Sequence, residues 1–370
     1  MGSVGNYIFL ETLLLFIFIF CGFGISKGRK DQFWIYSSIV IISYSLIKGL
    51  RYGRGPDYLW YKLQYENMDL AEKKELGFRF VNEILSALDI PYYGAFILYS
   101  FVLIVAVMML LKNYREIAMY ALPIFFIVTG SYWATAAIRQ YLAMAFILIA
   151  FLYLMKDHIW KCLGFMLIGI LIHTASFIFL PFFLLFYYIK IPIKSPYPLI
   201  ALYLIVFFMW KIEYWSEYVI LFDALSLDKD VKFSGYLNNA EFWFTDAGSD
   251  GNIASITLLF RRLLSNVILI YFGVKYLNRI QNFRLPFFLF YLSIIILKVS
   301  GDIELPMRIG LGFNTFEMFV AGVVLSETKK TDIYTFCAMF FLIINYGYNW
   351  IAPLLSATPE TSMFIWDIIH

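Results

Sequence analysis

The sequence predicts an all-α polytopic integral membrane protein, a single transmembrane domain over residues 1–370. Three observations carry that expectation. First, 62% of the residues are hydrophobic and 15% charged, where soluble domains average about 45–50% and about 25%. Second, apolar runs close to the roughly 20 residues needed to cross a bilayer recur from end to end. Third, basic residues collect in short connections at 26–32, 112–116, 156–161, 190–197, 275–284 and 327–332, where acidic residues are few. That bias places these connections in the cytoplasm. The alternating pattern of a membrane β-barrel is absent.

Taken in order, the apolar runs predict spans at 6–25, 33–50, 92–111, 117–131, 133–155, 162–189, 198–212, 253–275, 285–300, 308–326 and 333–351. This gives about 11 transmembrane helices, with 10–12 as the range. No basic segment precedes the first run, and Lys27, Arg29 and Lys30 follow it. An uncleaved first span with its N-terminus outside is therefore expected. The run 162–189 is long, contains Pro181, and must bring Lys190 back to the cytoplasm. A broken, re-entrant pair of short helices around His173–Pro181 accounts for this, since interrupted backbone is tolerated where protein or a wet cavity surrounds it.

Two long external segments, 51–90 and 213–252, complete the plan. Within the first, residues 75–90 set Leu76, Phe80, Ile84, Leu85 and Leu88 opposite Glu75, Arg79, Asn82 and Glu83, the pattern of an interfacial amphipathic helix. The second mixes Trp215, Tyr218, Phe222, Tyr236, Trp243 and Phe244 with Asp223, Asp228, Asp230, Asp246 and Asp250. Its composition suits either an interfacial aromatic belt or the binding of sugar faces. Cys21, Cys162 and Cys337 are far apart in apolar runs and read as small core residues.

Arginine is the residue that most needs explaining. Arg51, Arg54, Arg139, Arg261, Arg262 and Arg308 lie at or inside the ends of apolar runs, where a charge costs about 2.5–3.5 kcal/mol at a helix centre. Guanidinium forks fit phosphate and carboxylate oxygens. In Arg51-Tyr52-Gly53-Arg54-Gly55-Pro56-Asp57-Tyr58, a continuing helix would set Arg51 and Arg54 on one face, and Gly55-Pro56 would then turn Asp57 and Tyr58 back. Snorkelling and an Arg–Asp pair are the plainer reading. Arg139, followed by Gln140, lies near the start of the fifth span, where a helix end also favours an anion. His173-Thr174-Ala175-Ser176 falls in the broken segment; its imidazole suits either proton transfer or a structural hydrogen bond. Near the tenth span, Glu304 and Asp302 stand by Arg308, an arrangement that a local ion pair also explains. There is no Gly-rich phosphate loop, paired-Cys metal site, His-Glu-x-x-His or Gly-x-Ser-x-Gly, so ATP-driven transport and zinc hydrolysis have no motif to support them.

Four motifs in order resemble the EpsG/Wzy-type polysaccharide polymerases. They are Arg54-Gly55-x-Asp57-Tyr58-x-x-Tyr61, then Glu75-x-Gly77-Phe78, then Arg139-Gln140-x-x-Ala143, then His173-Thr174-x-Ser176. They span about residues 45–190, and Arg308 beside Gly310 to Phe316 resembles the family's terminal Arg-containing span. The sequence departs from the family pattern at Pro56, where a small non-proline residue is common. The resemblance implies a bacterial inner-membrane enzyme, metal-independent and without cofactor, that works on the periplasmic face. It would move a glycan from undecaprenyl pyrophosphate to a sugar hydroxyl of another lipid-linked repeat. Its partners would be that lipid-linked oligosaccharide, membrane lipid, and the flippase and chain-length regulator of the same pathway; no nucleic acid is expected.

On this reading Arg51, Arg54, Arg139 and Arg308, with Arg262, hold the pyrophosphate and stabilise charge developing on its oxygens. His173 or Asp57 serves as base, with Arg139 also in the catalytic set, while Tyr58, Gln140 and Ser176 orient their neighbours. The chief rivals are a flippase for the same lipid-linked oligosaccharide and a ligase that delivers glycan to a different acceptor.

Overall fold

A chain in hydrocarbon has to satisfy its backbone N–H and C=O groups within its own segment, which makes the apolar runs helical. The computed structural model describes residues 3–55, 57–67, 75–131, 137–189, 192–209, 256–280, 282–300, 304–328 and 332–368. The external segment 213–252, Pro56, Asp302 and residues 133–136 lie outside these. Among the described residues five helices are long and apolar enough to cross a membrane, with four shorter apolar helical stretches beside them. The described residues form no strand, only one isolated antiparallel bridge between Arg51 and Phe364. The protein is an all-α, multi-pass membrane protein.

The chain forms two compact units, Met1–Ile189 with Glu317–His370, and Lys190–Phe316. The first contains α1 (Ser3–Lys27), α2 (Phe33–Gly49), α3 (Tyr58–Glu66), α4 (Leu76–Ala87), α5 (Tyr92–Leu111), α6 (Ala118–Phe125), α7 (Ile138–Leu154), α8 (Ile159–Ile172) and α9 (Phe179–Tyr188). The second contains α10 (Tyr197–Met209), α11 (Ile256–Tyr276), α12 (Arg284–Ser300) and α13 (Glu304–Asn314). Then α14 (Glu317–Glu327) and α15 (Ile333–Leu355) belong again to the first. In the second unit α10 packs on α11 and α12, and α12 on α13. Polar ties there include Asn266 Nδ2 donating to Tyr203 Oη (2.8 Å) and Tyr291 Oη donating to the Leu199 carbonyl (2.8 Å).

In the first unit α1 packs on α2 and α6, α2 on α5, α5 on α7, α7 on α8, and α6 on α14. One end gathers the basic connections: Arg115 Nη2 donates to the carbonyls of Ile25 (3.0 Å) and Gly28 (2.9 Å). Ser26 Oγ donates there to the Glu116 carbonyl (2.9 Å). At the other end α2 stops, α7 begins and α8 breaks, and there the candidate residues collect.

Several local expectations change on folding. Helix α2 ends at Gly49, so Arg51 and Arg54 do not share a helical face. Gly53 (φ +66°) and Gly55 (φ +92°) take left-handed backbone that other residues avoid, and the chain turns back into α3. The break after α8 is at His173, which is extended (φ −149°, ψ 105°), followed by a 3-10 turn over Thr174–Ile178. Pro181 does not cause it, for it lies in the first turn of α9, where its missing N–H would have had no partner within the helix. The run 308–326 falls within one of the five long helical stretches, Met307–Glu327, with a two-residue turn at Thr315 and Phe316 between α13 and α14. Helix α4 does turn Leu76, Phe80, Ile84 and Leu88 outwards, as an interfacial helix should, but Asn82 is buried and accepts a hydrogen bond from Tyr99.

Candidate functional site

Two charged clusters form at this end of the first unit. The first is centred on Glu75, immediately before α4. Arg139, one residue into α7, donates from Nη1 to Glu75 Oε2 at 2.5 Å and from Nε to Tyr61 Oη at 3.1 Å. Its guanidinium also lies over the Tyr61 ring, 5.8 Å from the centroid. The other carboxylate oxygen, Glu75 Oε1, stands 3.7 Å from His173 Nδ1. One carboxylate thus joins a guanidinium on α7 and an imidazole just past the end of α8, 34 residues apart in sequence.

The local sequence explains why they meet. His173 follows the last turn of α8, its N–H donating to the Gly169 carbonyl (2.9 Å), while its own carbonyl accepts from the Ser176 N–H (2.9 Å). The imidazole is thereby presented at a helix end. Gly77 is the counterpart on α4: a Cβ there would stand 2.8 Å from the backbone carbon and oxygen of Leu171. Only glycine lets the two backbones come so near. Glu75, two residues before Gly77, then reaches His173, two residues after Leu171. Phe78 anchors the same turn, its ring 5.9 Å from that of Tyr61 and 6.0 Å from that of Tyr99.

Burial alone would push the Glu75 carboxyl up. The neighbouring His173 imidazole, the Arg139 charge and a backbone N–H outweigh it and hold the group well below the usual carboxylate range. Glu75 is therefore a fixed anion at neutral pH. It can orient the imidazole and stabilise its charged form, and it locks one side of the guanidinium fork. The bonds to Tyr61 and Glu75 use two of the five N–H donors of Arg139.

The second cluster lies where α1 meets α2. Lys48 Nζ donates to both oxygens of Glu11 (2.7 Å each) and to Ser131 Oγ (3.2 Å). Arg54 Nη1 reaches Glu11 Oε1 at 3.5 Å and Nη2 donates to the Met363 carbonyl at 3.2 Å. The Arg54 guanidinium is held between two rings, 4.5 Å from the centroid of Tyr7 and 4.3 Å from that of Phe364. Arg51 is buried, donates to the Lys48 carbonyl (2.5 Å), and lies over the rings of Tyr58 (5.5 Å) and Phe96 (5.6 Å). Tyr58 Oη in turn donates to the Arg51 carbonyl (2.8 Å).

The remaining predicted residues fall as follows. Asp57 begins α3, its carbonyl accepting from the Tyr61 N–H (2.9 Å); the carboxylate that reaches Arg54 is Glu11. Gln140 and Ser176 are buried beside Arg139 and His173 respectively in sequence. Arg262 is exposed on α11 and Arg308 is half-buried in α13, both in the second unit.

The predicted site set lacks Glu75, Tyr61, Glu11, Lys48 and the Met363–Phe364 segment, although Tyr61 and Glu75 stand in the motifs that carry the family resemblance. For Glu11 a signal existed: it is the one carboxylate in the run 6–25, and a charge buried in a span requires a partner. Glu75 read as part of a polar helix face, and nothing in the sequence set it between Arg139 and His173.

No curated protein and no solved structure matches the chain significantly. A sequence model of the EpsG family does match it, over residues 34–359. That range takes in both clusters apart from Tyr7, Glu11 and the 363–364 segment, and with it the chain belongs to the EpsG family.

Proposed function

We propose that the protein joins lipid-linked oligosaccharide repeats, transferring a glycan from a polyprenyl pyrophosphate to a sugar hydroxyl of a second repeat. Family membership supports the coarser statement, a membrane protein of the polysaccharide-polymerase type. The observation that carries the finer one is Glu75, shared between Arg139 and His173.

In this reading the acceptor hydroxyl oxygen attacks the anomeric carbon, and the bond from that carbon to the pyrophosphate oxygen breaks. The electron pair leaves on the pyrophosphate, and the hydroxyl proton passes to His173 Nε2. Glu75 holds Nδ1 of the same ring and stabilises the imidazolium that results, the role a carboxylate plays behind a histidine base. Arg139, pinned through Nε and Nη1, turns the rest of its fork to the phosphate oxygens as their charge grows. A pre-oriented donor does this without reorganising, which is why such groups count most in poorly hydrated sites. Asp57 becomes the less suitable base, and Tyr61, beyond the expected Tyr58, Gln140 and Ser176, orients the guanidinium.

Arg51 and Arg54 then supply positive potential from behind the site. The basic connections at the opposite end of the first unit support a reaction on the outer face.

The decisive experiment is purified protein with a lipid-linked repeat alone, without ATP, nucleotide sugar or metal. Longer lipid-linked products are expected. Transfer of repeats across a vesicle bilayer without elongation would instead identify a flippase.

A further inference from the structure

The segment after α15 makes an unexpected return to the candidate site. Residues 357–368 are folded by their own polar contacts: Ser362 Oγ donates to the Thr358 carbonyl (2.6 Å) and the Phe364 N–H donates to Asp367 Oδ2 (2.8 Å). These two turns present Met363 and Phe364 to the end of α2. Two backbone hydrogen bonds tie them there, Tyr52 N–H to the Met363 carbonyl and Ile365 N–H to the Leu50 carbonyl, both 2.9 Å. The Met363 carbonyl accepts a second bond, from Arg54 Nη2. Phe364 has no exposed surface; one face covers the Arg54 guanidinium and Trp366 stacks on the ring at 4.6 Å.

What the strap fixes is more than Arg54. The same turn runs through Gly55 into α3, where the Tyr58 N–H donates to the Gly55 carbonyl (3.2 Å). Tyr58 braces Arg51, and Tyr61, one turn further along the same short helix, holds Arg139. Side chains three residues apart share a helix face, so the register of the Arg51–Arg54 turn sets where Tyr61 stands. Phe364 and its neighbours also lie beyond residue 359, where the family match ends.

We propose that Phe364, with the strap that carries it, is a positioning residue: it fixes the Arg51–Arg54 turn, and α3 passes that register to Tyr61 and so to Arg139. Its effect on catalysis rests on the polymerase reading above; its effect on the two arginines does not. Met363 contributes through its backbone carbonyl alone.

The test compares wild type, Phe364→Ala, Phe364→Tyr and Met363→Leu in detergent by two measurements. One is phenylglyoxal labelling of Arg54 and Arg139, quantified by peptide mass spectrometry. The other is elongation of a lipid-linked repeat, with kcat and KM separated. Loss of a desolvated cation–π contact should raise labelling of both arginines by about tenfold in Phe364→Ala. In that variant kcat should fall by about tenfold with KM held within about threefold. Phe364→Tyr and Met363→Leu should match wild type in both. Unchanged labelling of Arg139, or unchanged kcat, in Phe364→Ala overturns the proposal. If wild type shows no elongation, the polymerase reading fails and Arg139 labelling alone decides for or against the strap. Should Phe364→Ala not fold, Phe364→Leu, which fills the slot without a π face, takes its place under the same criteria.

Discussion

Two ion-paired clusters sit at the same end of one helical unit, and they differ in access. In the first, the side chains of Arg139, Glu75 and His173 keep 19%, 12% and 18% of their exposure. In the second, Lys48 and Glu11 keep 2% and 4%, and Arg54 keeps 5%. The first keeps some surface at each of its three groups. The second is closed by Tyr7, Ser131, Met363 and Phe364, and its charges answer one another. Arginine in a span is therefore an ambiguous signal: Arg139 keeps part of its fork unengaged, which the proposed mechanism uses, whereas Arg54 lies between a carboxylate, a carbonyl and two rings, as a structural residue does.

That contrast can be broken or sharpened by substitution. The largest effect is expected at His173. Without the imidazole, His173→Ala should lose about 10²–10⁴-fold in elongation rate and leave single capped repeats, as for removal of a general base. Chain lengths on a glycan gel check this; undiminished elongation would make His173 structural. Next comes the sealed cluster, where the effect should be on stability. Lys48→Met leaves the Glu11 carboxylate only its longer contact to Arg54 (3.5 Å) and should cost about 3 kcal/mol, whereas Glu11→Leu leaves both buried cations without their carboxylate and should cost about 5 kcal/mol. Thermal unfolding in detergent distinguishes the two, and a silent variant would show that the pair is not sealed. Arg139→Lys keeps the charge but not the fork, and should lower kcat by about 10²-fold with little change in melting temperature. A large stability loss there would erase the distinction between the clusters.

The sequence reached the fold more fully than the site, for physical reasons. Hydrophobic runs and basic connections are local signals, and they placed α1, α2, α5, α10, α11, α12 and α15 within a few residues of where they lie. Interruptions were harder. Proline at 181 suggested a break, but the break is made by extended backbone at His173, and proline in a first turn is harmless. Helix α3, with only nine residues and a mixed polar and aromatic sequence, gave no span-like pattern. At the site, Arg139 and His173 could be singled out because a charged or titratable group in an apolar run has a cost. Glu75 stands in a motif of the family resemblance, but its partners were not legible, since a carboxylate on an interfacial helix is unremarkable until the close approach at Gly77 brings it to the break in α8. Likewise the carboxylate that reaches Arg54 is Glu11, 43 residues away, where left-handed backbone at Gly53 and Gly55 turns the chain.

In the proposed mechanism Glu75 makes one working unit of Arg139 and His173, and the rate–pH profile of Glu75→Gln reads that coupling. The carboxylate stays ionised well below neutral pH, so it does not itself produce an inflection there; it acts by favouring the charged form of the imidazole. Removing the charge should make His173 a weaker base, and the acidic limb of kcat/KM should move to lower pH by about 1 unit. The same variant should lower the maximal rate, since the Arg139 fork loses an anchor. An acidic limb at the wild-type position, with an undiminished maximum, would show that Glu75 couples neither group to the reaction.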